Sequence, residues 1–184
     1  MSLTETPVCN FGEKIKDFKL ISTEDAFVSL KDIKGQNGTL IMFICNHCPY
    51  VKAIIRELVD ITNKLAKIGI NSVAIMSNDV NNYPEDSFEN MKKFAKINNF
   101  KFPYLYDETQ NIAQNFRAVC TPDFFGYNKN NELQYRGRFT EMKNLKPLLD
   151  KKNDLLNAME LIAKTSNGPK QQFPSMGCNI KWKR

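Results

Sequence analysis

The chain has 184 residues, of which 42% are hydrophobic and 25% charged, with a net charge of 26 − 20 = +6. That composition excludes global disorder and predicts one domain over 1–184, able to bury about 70 % of its unfolded surface. The longest apolar run, the six residues Leu40–Cys45, is too short to span a membrane. The cations are dispersed among acids, as in Lys14–Asp17, and only Lys181–Arg184 forms a basic cluster. The charge therefore reads as solvation, and neither nucleic acid nor a membrane is an expected partner. Met1–Asp17 carries Glu5 and Glu13 and no apolar core, so no secretory signal is read there. An odd count of five cysteines does not suit a secreted disulfide framework and points to a reducing compartment, the cytoplasm.

In chain order, residues 1–16 read as an extended lead-in. Asp17–Ile21 and Ala26–Leu30 alternate like strands around the polar turn Ser22–Asp25, a predicted hairpin. After a loop at 34–38, Thr39–Ile44 suits a strand buried on both faces. From Pro49 the period becomes helical: Val51, Ile54, Ile55, Leu58, Ile61, Leu65 and Ile68 form one stripe that stops at Gly69. Asn71–Met76 is a second buried strand. Asp86 or Ser87 is a candidate cap for a helix with Phe88, Met91, Phe94 and Ala95 inward. Phe102–Tyr106 is a third strand, and Asp107 with Gln110 resembles a capping box ahead of Ile112, Ala113 and Phe116. Asp123–Tyr127 and Leu133–Arg138 form a hairpin across Asn128–Asn131. The last helix is predicted over Leu145–Lys164, with Leu148, Leu149, Leu155, Leu156, Met159 and Ile162 inward and Pro147 in its first turn. Residues 165–184 read as an irregular tail docked through Phe173 and Trp182. Strands alternating with helices give an α/β fold with a central mixed sheet, an N-terminal hairpin and an inserted α-β-α segment.

The chemistry gathers at Cys45–Asn46–His47–Cys48, between a buried strand and a helix. Two intervening residues bring both sulfurs to the first helical turn, where N–H groups and the positive end of the dipole favour a thiolate. Cys45 is expected as the exposed nucleophile and Cys48 as the resolving thiol. His47, the single histidine, either stabilises the thiolate or faces solvent without a task. A metal-ligating reading of the pair, with Cys120 or His47 as further ligands, stands beside the redox one.

Cys120–Thr121–Pro122 is the second constellation. A proline opening a strand cannot donate to the ladder, and either a cis Thr121–Pro122 bond or a trans proline at the strand's first position accommodates it.

With these motifs, the chain resembles the thioredoxin superfamily. More narrowly, Phe43–Val51, Ser77–Asp79 with Tyr83–Asp86, Phe102–Leu105 with Asp107–Gln110, Cys120–Phe125 and Gly177–Lys183 are similar to a bacterial peroxiredoxin-like thioredoxin family. That family is grouped with the alkyl hydroperoxide reductase/thiol-specific antioxidant proteins. The resemblance implies a thioredoxin-like fold, a redox pair at Cys45 and Cys48, and a cis-proline at Pro122 standing against it. It also implies that the backbone of Thr121 is offered to an extended substrate, and that the cis-proline discourages metal capture. Ile44 replaces the tryptophan of thioredoxin proper, and Asn46–His47 replaces its Gly-Pro. A histidine there resembles strongly oxidising members and implies a potential less negative than thioredoxin's.

The expected function is thiol–disulfide exchange, with the cysteine pair in place of a cofactor. Its partners would be a disulfide-bearing protein or small molecule and an electron donor. A thiol peroxidase with Cys45 as peroxidatic sulfur is the alternative. Typical peroxiredoxins have threonine three residues before that cysteine, where this chain has Met42, and they need an arginine, for which Arg117, Arg136 and Arg138 are available. A metal or cluster module built on Cys45, Cys48 and Cys120 with Cys178 or His47 is the third reading. Cys120 and Cys178 are either accessory redox thiols or a buried thiol and a bystander; Cys9 reads as a bystander.

Overall fold

The computed structural model describes residues 3–148 and 153–183. Along the chain the strands and helices are β1 (Leu3–Glu5), β2 (Lys19–Ser22), β3 (Phe27–Ser29), α1 (Leu30–Ile33), β4 (Gly38–Phe43), α2 (Pro49–Lys67) and β5 (Ile70–Met76). A 3-10 turn at Pro84–Asp86 leads to α3 (Phe88–Ile97), β6 (Tyr104–Tyr106), α4 (Asn111–Asn115), β7 (Cys120–Thr121), β8 (Asp123–Asn128) and β9 (Leu133–Arg136). Then come β10 (Met142–Lys143), β11 (Lys146–Pro147), α5 (Asp154–Thr165) and β12 (Met176–Asn179).

The main sheet has seven strands in the order β3-β2-β6-β5-β4-β8-β9. β4, β5 and β6 run parallel, while the predicted hairpins β2–β3 and β8–β9 supply antiparallel flanks. This is the thioredoxin-like α/β arrangement the sequence predicts. Every residue of β4 is buried because its side chains alternate between two cores. Leu40 and Met42 pack with α2, α3 and α5 on one face; Ile41 and Phe43 pack with α1 and Phe116 on the other.

The α2 stripe buries Val51, Ile54, Ile55, Leu58, Ile61 and Leu65, each contributing about 1.5–3 kcal/mol. Ile68 lies past the helix and is exposed, since the left-handed Gly69 (φ +76°) turns the chain there.

Three expectations fail, each for a physical reason. The last helix does not begin at Leu145. Asn144 and Leu145 both adopt positive φ (50° and 59°) and fold Met142–Pro147 into a small hairpin, so Pro147 sits in a strand. The helix starts instead at Asp154, where the Asn153 side chain accepts the Leu156 N–H at 2.9 Å. Leu149 lies outside the described residues.

The predicted irregular tail contains a strand, and so does the lead-in: β12 lies between β1 and β7 in a second, three-stranded sheet. Phe173 and Trp182 stay about two-fifths exposed (42% and 41%) and are not the main anchors. Backbone pairing fixes the tail, helped by the Lys181 N–H to Asn78 Oδ1 (2.9 Å) and by Gln110, whose side chain binds the backbone of Lys181 and Lys183.

That use of Gln110 also corrects the capping box. The Asp107 side chain receives the Ile112 and Ala113 amides, while the Gln110 side chain caps none of them; Gln110 turns left-handed and reaches the tail.

Candidate active site

The site grows from the end of β4. The Ile44 N–H still bonds across the sheet to the Ile75 carbonyl, after which the chain leaves β5 and four residues, Cys45–Cys48, bridge to Pro49. Pro49 is the first residue of α2, where a missing N–H is harmless, and Cys48 is its N-cap.

What shapes this turn comes from the inserted segment. Asp86, fully buried, takes the backbone N–H groups of Asn46 (2.8 Å) and His47 (3.2 Å) on Oδ1. Its Oδ2 meets His47 Nδ1 at 2.6 Å and accepts from Asn78 Nδ2 at 2.8 Å. Asn46 is held further by the Glu85 carbonyl and by the Tyr104 hydroxyl (3.0 Å each), and the His47 ring stacks on Tyr83. Asp86 is thus an anchor of the cysteine turn, and Ser87 is the N-cap of α3.

On the opposite side stands Thr121–Pro122, joined by a cis peptide bond. Thr121 touches both sulfurs: its Oγ1 lies 3.4 Å from Cys45 Sγ, and its carbonyl oxygen 3.1 Å from Cys48 Sγ. Cys45, His47, Cys48 and Thr121 are therefore brought together, with Pro122 next to Thr121 in the chain. The expected exposure of Cys45 does not hold. It is 1% exposed and Cys48 is 0%, because Asp86 draws the turn onto the body from one side while Thr121 covers it from the other.

Cys120 and Cys178 lie just beyond. Cys120 Sγ donates to the Pro122 carbonyl at 3.5 Å, and Cys178 pairs with Thr121 across the β7–β12 ladder. Cys9 is half-buried on the other side of the sheet.

The electrostatics follow from these contacts. The bond to Asp86 raises the His47 pKa above 6.5, outweighing burial, which lowers it. Burial pushes the Asp86 carboxyl up, but its bonds to His47, Asn78 and the Asn46 amide pull harder and leave it below the usual range. The two site cysteines hold one proton between them. The Cys45 thiol, with the Val51 backbone N–H, lowers Cys48 to about 5; burial, the bond to Cys48 and the Asp86 charge, followed by the charge on Cys48, push Cys45 well up. Burial raises Cys120 far up, Cys178 to about 12 and Cys9 to about 11.

Cys45, His47 and Asp86 offer ligand atoms within 4.8 Å of one another. The His47 nitrogen and the Asp86 oxygens already bond each other and three further N–H groups, so the trio fits a hydrogen-bonded relay better than a metal cage. Cys120 and Cys178 do not join that grouping among the described residues. The three arginines are engaged elsewhere: Arg117 with Glu13, Arg136 with buried Asp123, Arg138 with Asp154. Beside the proline a cleft of about 340 Å³ opens between Tyr50, Pro122, Arg138, Met142, Ser175 and Met176.

The functional residue that sequence reasoning misplaced is Asp86, read only as a helix cap. A signal for it existed in Tyr83–Pro–Glu–Asp86, one of the stretches that carry the family resemblance.

A sheet of this topology, with a thiol pair at a strand–helix junction against a cis-proline, defines a thioredoxin-like redox enzyme. The AhpC/TSA family matches residues 11–140, and the chain belongs to that family. Among solved structures, an uncharacterized conserved protein from Geobacillus kaustophilus is 40% identical, covering 100% of this chain and 97% of that one with a TM-score of 0.94. A hypothetical protein from Sinorhizobium meliloti 1021 is 34% identical over 98% of each chain, with a TM-score of 0.90. A peroxidoxin from Mycobacterium tuberculosis shares the fold at 15% identity, over 83% of this chain and 92% of its own, with a TM-score of 0.58. No curated protein matches the chain. No helix among the described residues is long and apolar enough to cross a membrane.

Proposed function

We propose that the protein is a thiol–disulfide oxidoreductase whose working group is the Cys45–Cys48 pair. The observation that carries this reading is the placing of Thr121, one residue ahead of the cis-proline, within reach of both sulfurs. Cys45 is the attacking sulfur, since it faces the Thr121 hydroxyl and lies 3.8 Å from His47 Nδ1. As Cys45 attacks a substrate disulfide, its proton passes to the Cys48 thiolate, and the Thr121 carbonyl receives the new S–H. The departing substrate sulfur leaves as a thiolate. The bond to Asp86 favours the protonated form of His47, whose Nε2 is buried without a hydrogen-bond partner among the described residues, and that form has an N–H to offer the thiolate. Cys48 then gives up its proton to the medium and attacks Cys45 Sγ. The second substrate thiol departs, and the Cys45–Cys48 disulfide holds the two electrons' worth of oxidation.

No cofactor is required beyond the sulfurs. The partners are a disulfide-bearing protein or small molecule and an electron donor; the mixed surface charge favours neither nucleic acid nor a membrane. The odd set of five thiols supports the cytoplasm. Peptide mapping of reduced protein treated with glutathione disulfide tests the reading: a Cys45–Cys48 bond supports it, and two unlinked mixed disulfides overturn it.

One observation favours a second reading, a thiol peroxidase. Cys45 is nearly buried, which a hydroperoxide tolerates better than a protein disulfide, and the Thr121 hydroxyl beside it supplies what Met42 lacks. Cys45 would take the peroxide oxygen as sulfenic acid, releasing alcohol or water, and Cys48 would expel water to form the same disulfide. The engagement of all three candidate arginines elsewhere weighs against it. Faster oxidation by substoichiometric hydrogen peroxide than by glutathione disulfide would promote this reading.

A further inference from the structure

We infer that Cys178 is a third redox thiol, and that oxidation held as Cys45–Cys48 passes to a Cys48–Cys178 disulfide. The inference rests on the oxidoreductase reading for its first disulfide and extends it to a strand outside the matched residues 11–140.

The placement of Cys178 is built, not incidental. β12 runs antiparallel to β7 with Cys178 opposite Thr121, the residue that touches both site sulfurs. Gly177 permits that approach, because a Cβ there would come 2.2 Å from the Thr121 carbonyl oxygen. The register is pinned on both sides. Ser175 exchanges two hydrogen bonds with Thr6 (2.9 Å each) and donates its hydroxyl to the Pro122 carbonyl (2.8 Å). Beyond Cys178, the Ile180 N–H reaches the Val119 carbonyl at 3.1 Å. Cys178 is buried in the same apolar cluster as Cys45 and Cys48, and its thiol is within hydrogen-bonding reach of Cys48. Cys48 thus stands between two sulfurs, with Cys45 on one side and Cys178 on the other.

The exchange balances within the chain. The Cys178 thiolate attacks Cys48 Sγ of the Cys45–Cys48 disulfide; the Cys48–Cys178 bond forms, the Cys45–Cys48 bond breaks, and Cys45 leaves as a thiolate that takes up the proton Cys178 lost. No outside oxidant or reductant takes part. In the reduced protein Cys178 is held protonated by burial and by the charge on Cys48. Once Cys48 is in a disulfide that charge is gone, so the thiol becomes easier to ionise at the stage where attack is needed. The product is an oxidised protein with Cys45 returned to the thiol state and a disulfide that ties the cysteine turn to β12.

The test uses the full chain with Cys45→Ser. Reduced variant and reduced wild type are treated with glutathione disulfide, quenched in acid and mapped by mass spectrometry. In the variant we expect a peptide containing Cys48 linked to one containing Cys178, lost on adding Cys178→Ser. Cys48 ending as a glutathione mixed disulfide, with Cys178 still a thiol in a folded protein, would overturn the inference. Should Cys45→Ser not fold, judged by circular dichroism, wild type decides: a mapped Cys48–Cys178 fraction supports the exchange, and Cys45–Cys48 alone refutes it. Wild type that forms Cys45–Cys48 beside a variant that leaves Cys178 unlinked sinks this inference only. Wild type that forms neither Cys45–Cys48 nor Cys48–Cys178 sinks the parent reading instead, and the variant still answers the question of Cys178.

Discussion

Replacing Asp86 by asparagine should loosen the cysteine turn and discharge His47. The amide oxygen of the substituted side chain can keep both backbone bonds, to Asn46 and His47. Its NH₂ would then face the Asn78 NH₂, whose orientation is locked because Asn78 Oδ1 accepts the Lys181 N–H. A donor facing a donor in a buried site costs about 1–3 kcal/mol, and losing a charge-assisted bond to the imidazolium costs about 1.5–3 kcal/mol. Relief from burying a carboxylate offsets part of this, so the net loss expected is about 2–4 kcal/mol. Urea unfolding followed by circular dichroism reads that loss. The sharper readout is the His47 titration by NMR, unambiguous because the chain has one histidine. With Asp86 gone, the remaining main influence is burial, so the pKa should fall from its raised position to 6.5 or below. Because the folded wild-type pKa lies above the unfolded one, the pair's stabilisation is full below 6.5 and is lost as pH rises through the folded pKa. The stability gap between wild type and Asp86→Asn should therefore be wider at about pH 5.5 than at about pH 9. A histidine signal that titrates identically in the two folded proteins would refute the argument.

Reduced protein should show one thiolate, followed by its ultraviolet absorbance, that titrates at about 5 and is absent in Cys48→Ser; a first step near the ordinary thiol value of 9.0 would contradict the shared proton. Equilibration with glutathione should give a potential less negative than about −270 mV, because a stabilised thiolate makes the disulfide easier to reduce; a value at or below it would reject that link. Leu58→Ala, cut from the centre of the α2 stripe, should lower unfolding free energy by about 2–5 kcal/mol in a urea titration, whereas Ile68→Ala should change it by less than about 0.5 kcal/mol. Gly177→Ala should cost about 1–3 kcal/mol through its clash with Thr121 and weaken hydrogen-exchange protection in β12; unaltered protection would show that the approach is not tight.

The elements that were legible in the sequence are those whose side chains carry a period. β4 declared itself by an unbroken apolar run, and α2 by its stripe, Pro49 and Gly69. The cysteine pair was visible because its spacing and its junction are both local. What escaped was settled by contacts between distant residues. Leucines at 145, 148 and 149 continue a helical rhythm on paper, yet the backbone at Asn144–Leu145 is left-handed and the true cap is Asn153. β12 is four residues with a glycine and little apolar weight, and becomes a strand only because β1 and β7 stand on either side. Asp86 lies 39 positions from His47, so no window along the chain could join them.

The second sheet sets the terms on which the buried sulfurs meet anything. β12 is held to β7 by two residue pairs, whereas β8 is held to β4 by six. A short ladder opens at a small fraction of the cost of global unfolding. The wall over Cys45 and Cys48 is thus tied to the three-stranded sheet, and a local opening there need not disturb the seven-stranded one. Turnover and thermal resistance are then governed by different parts of the molecule. A substitution that tightened the tail would lengthen the enzyme's survival on heating and lower the fraction of time its sulfurs are within reach.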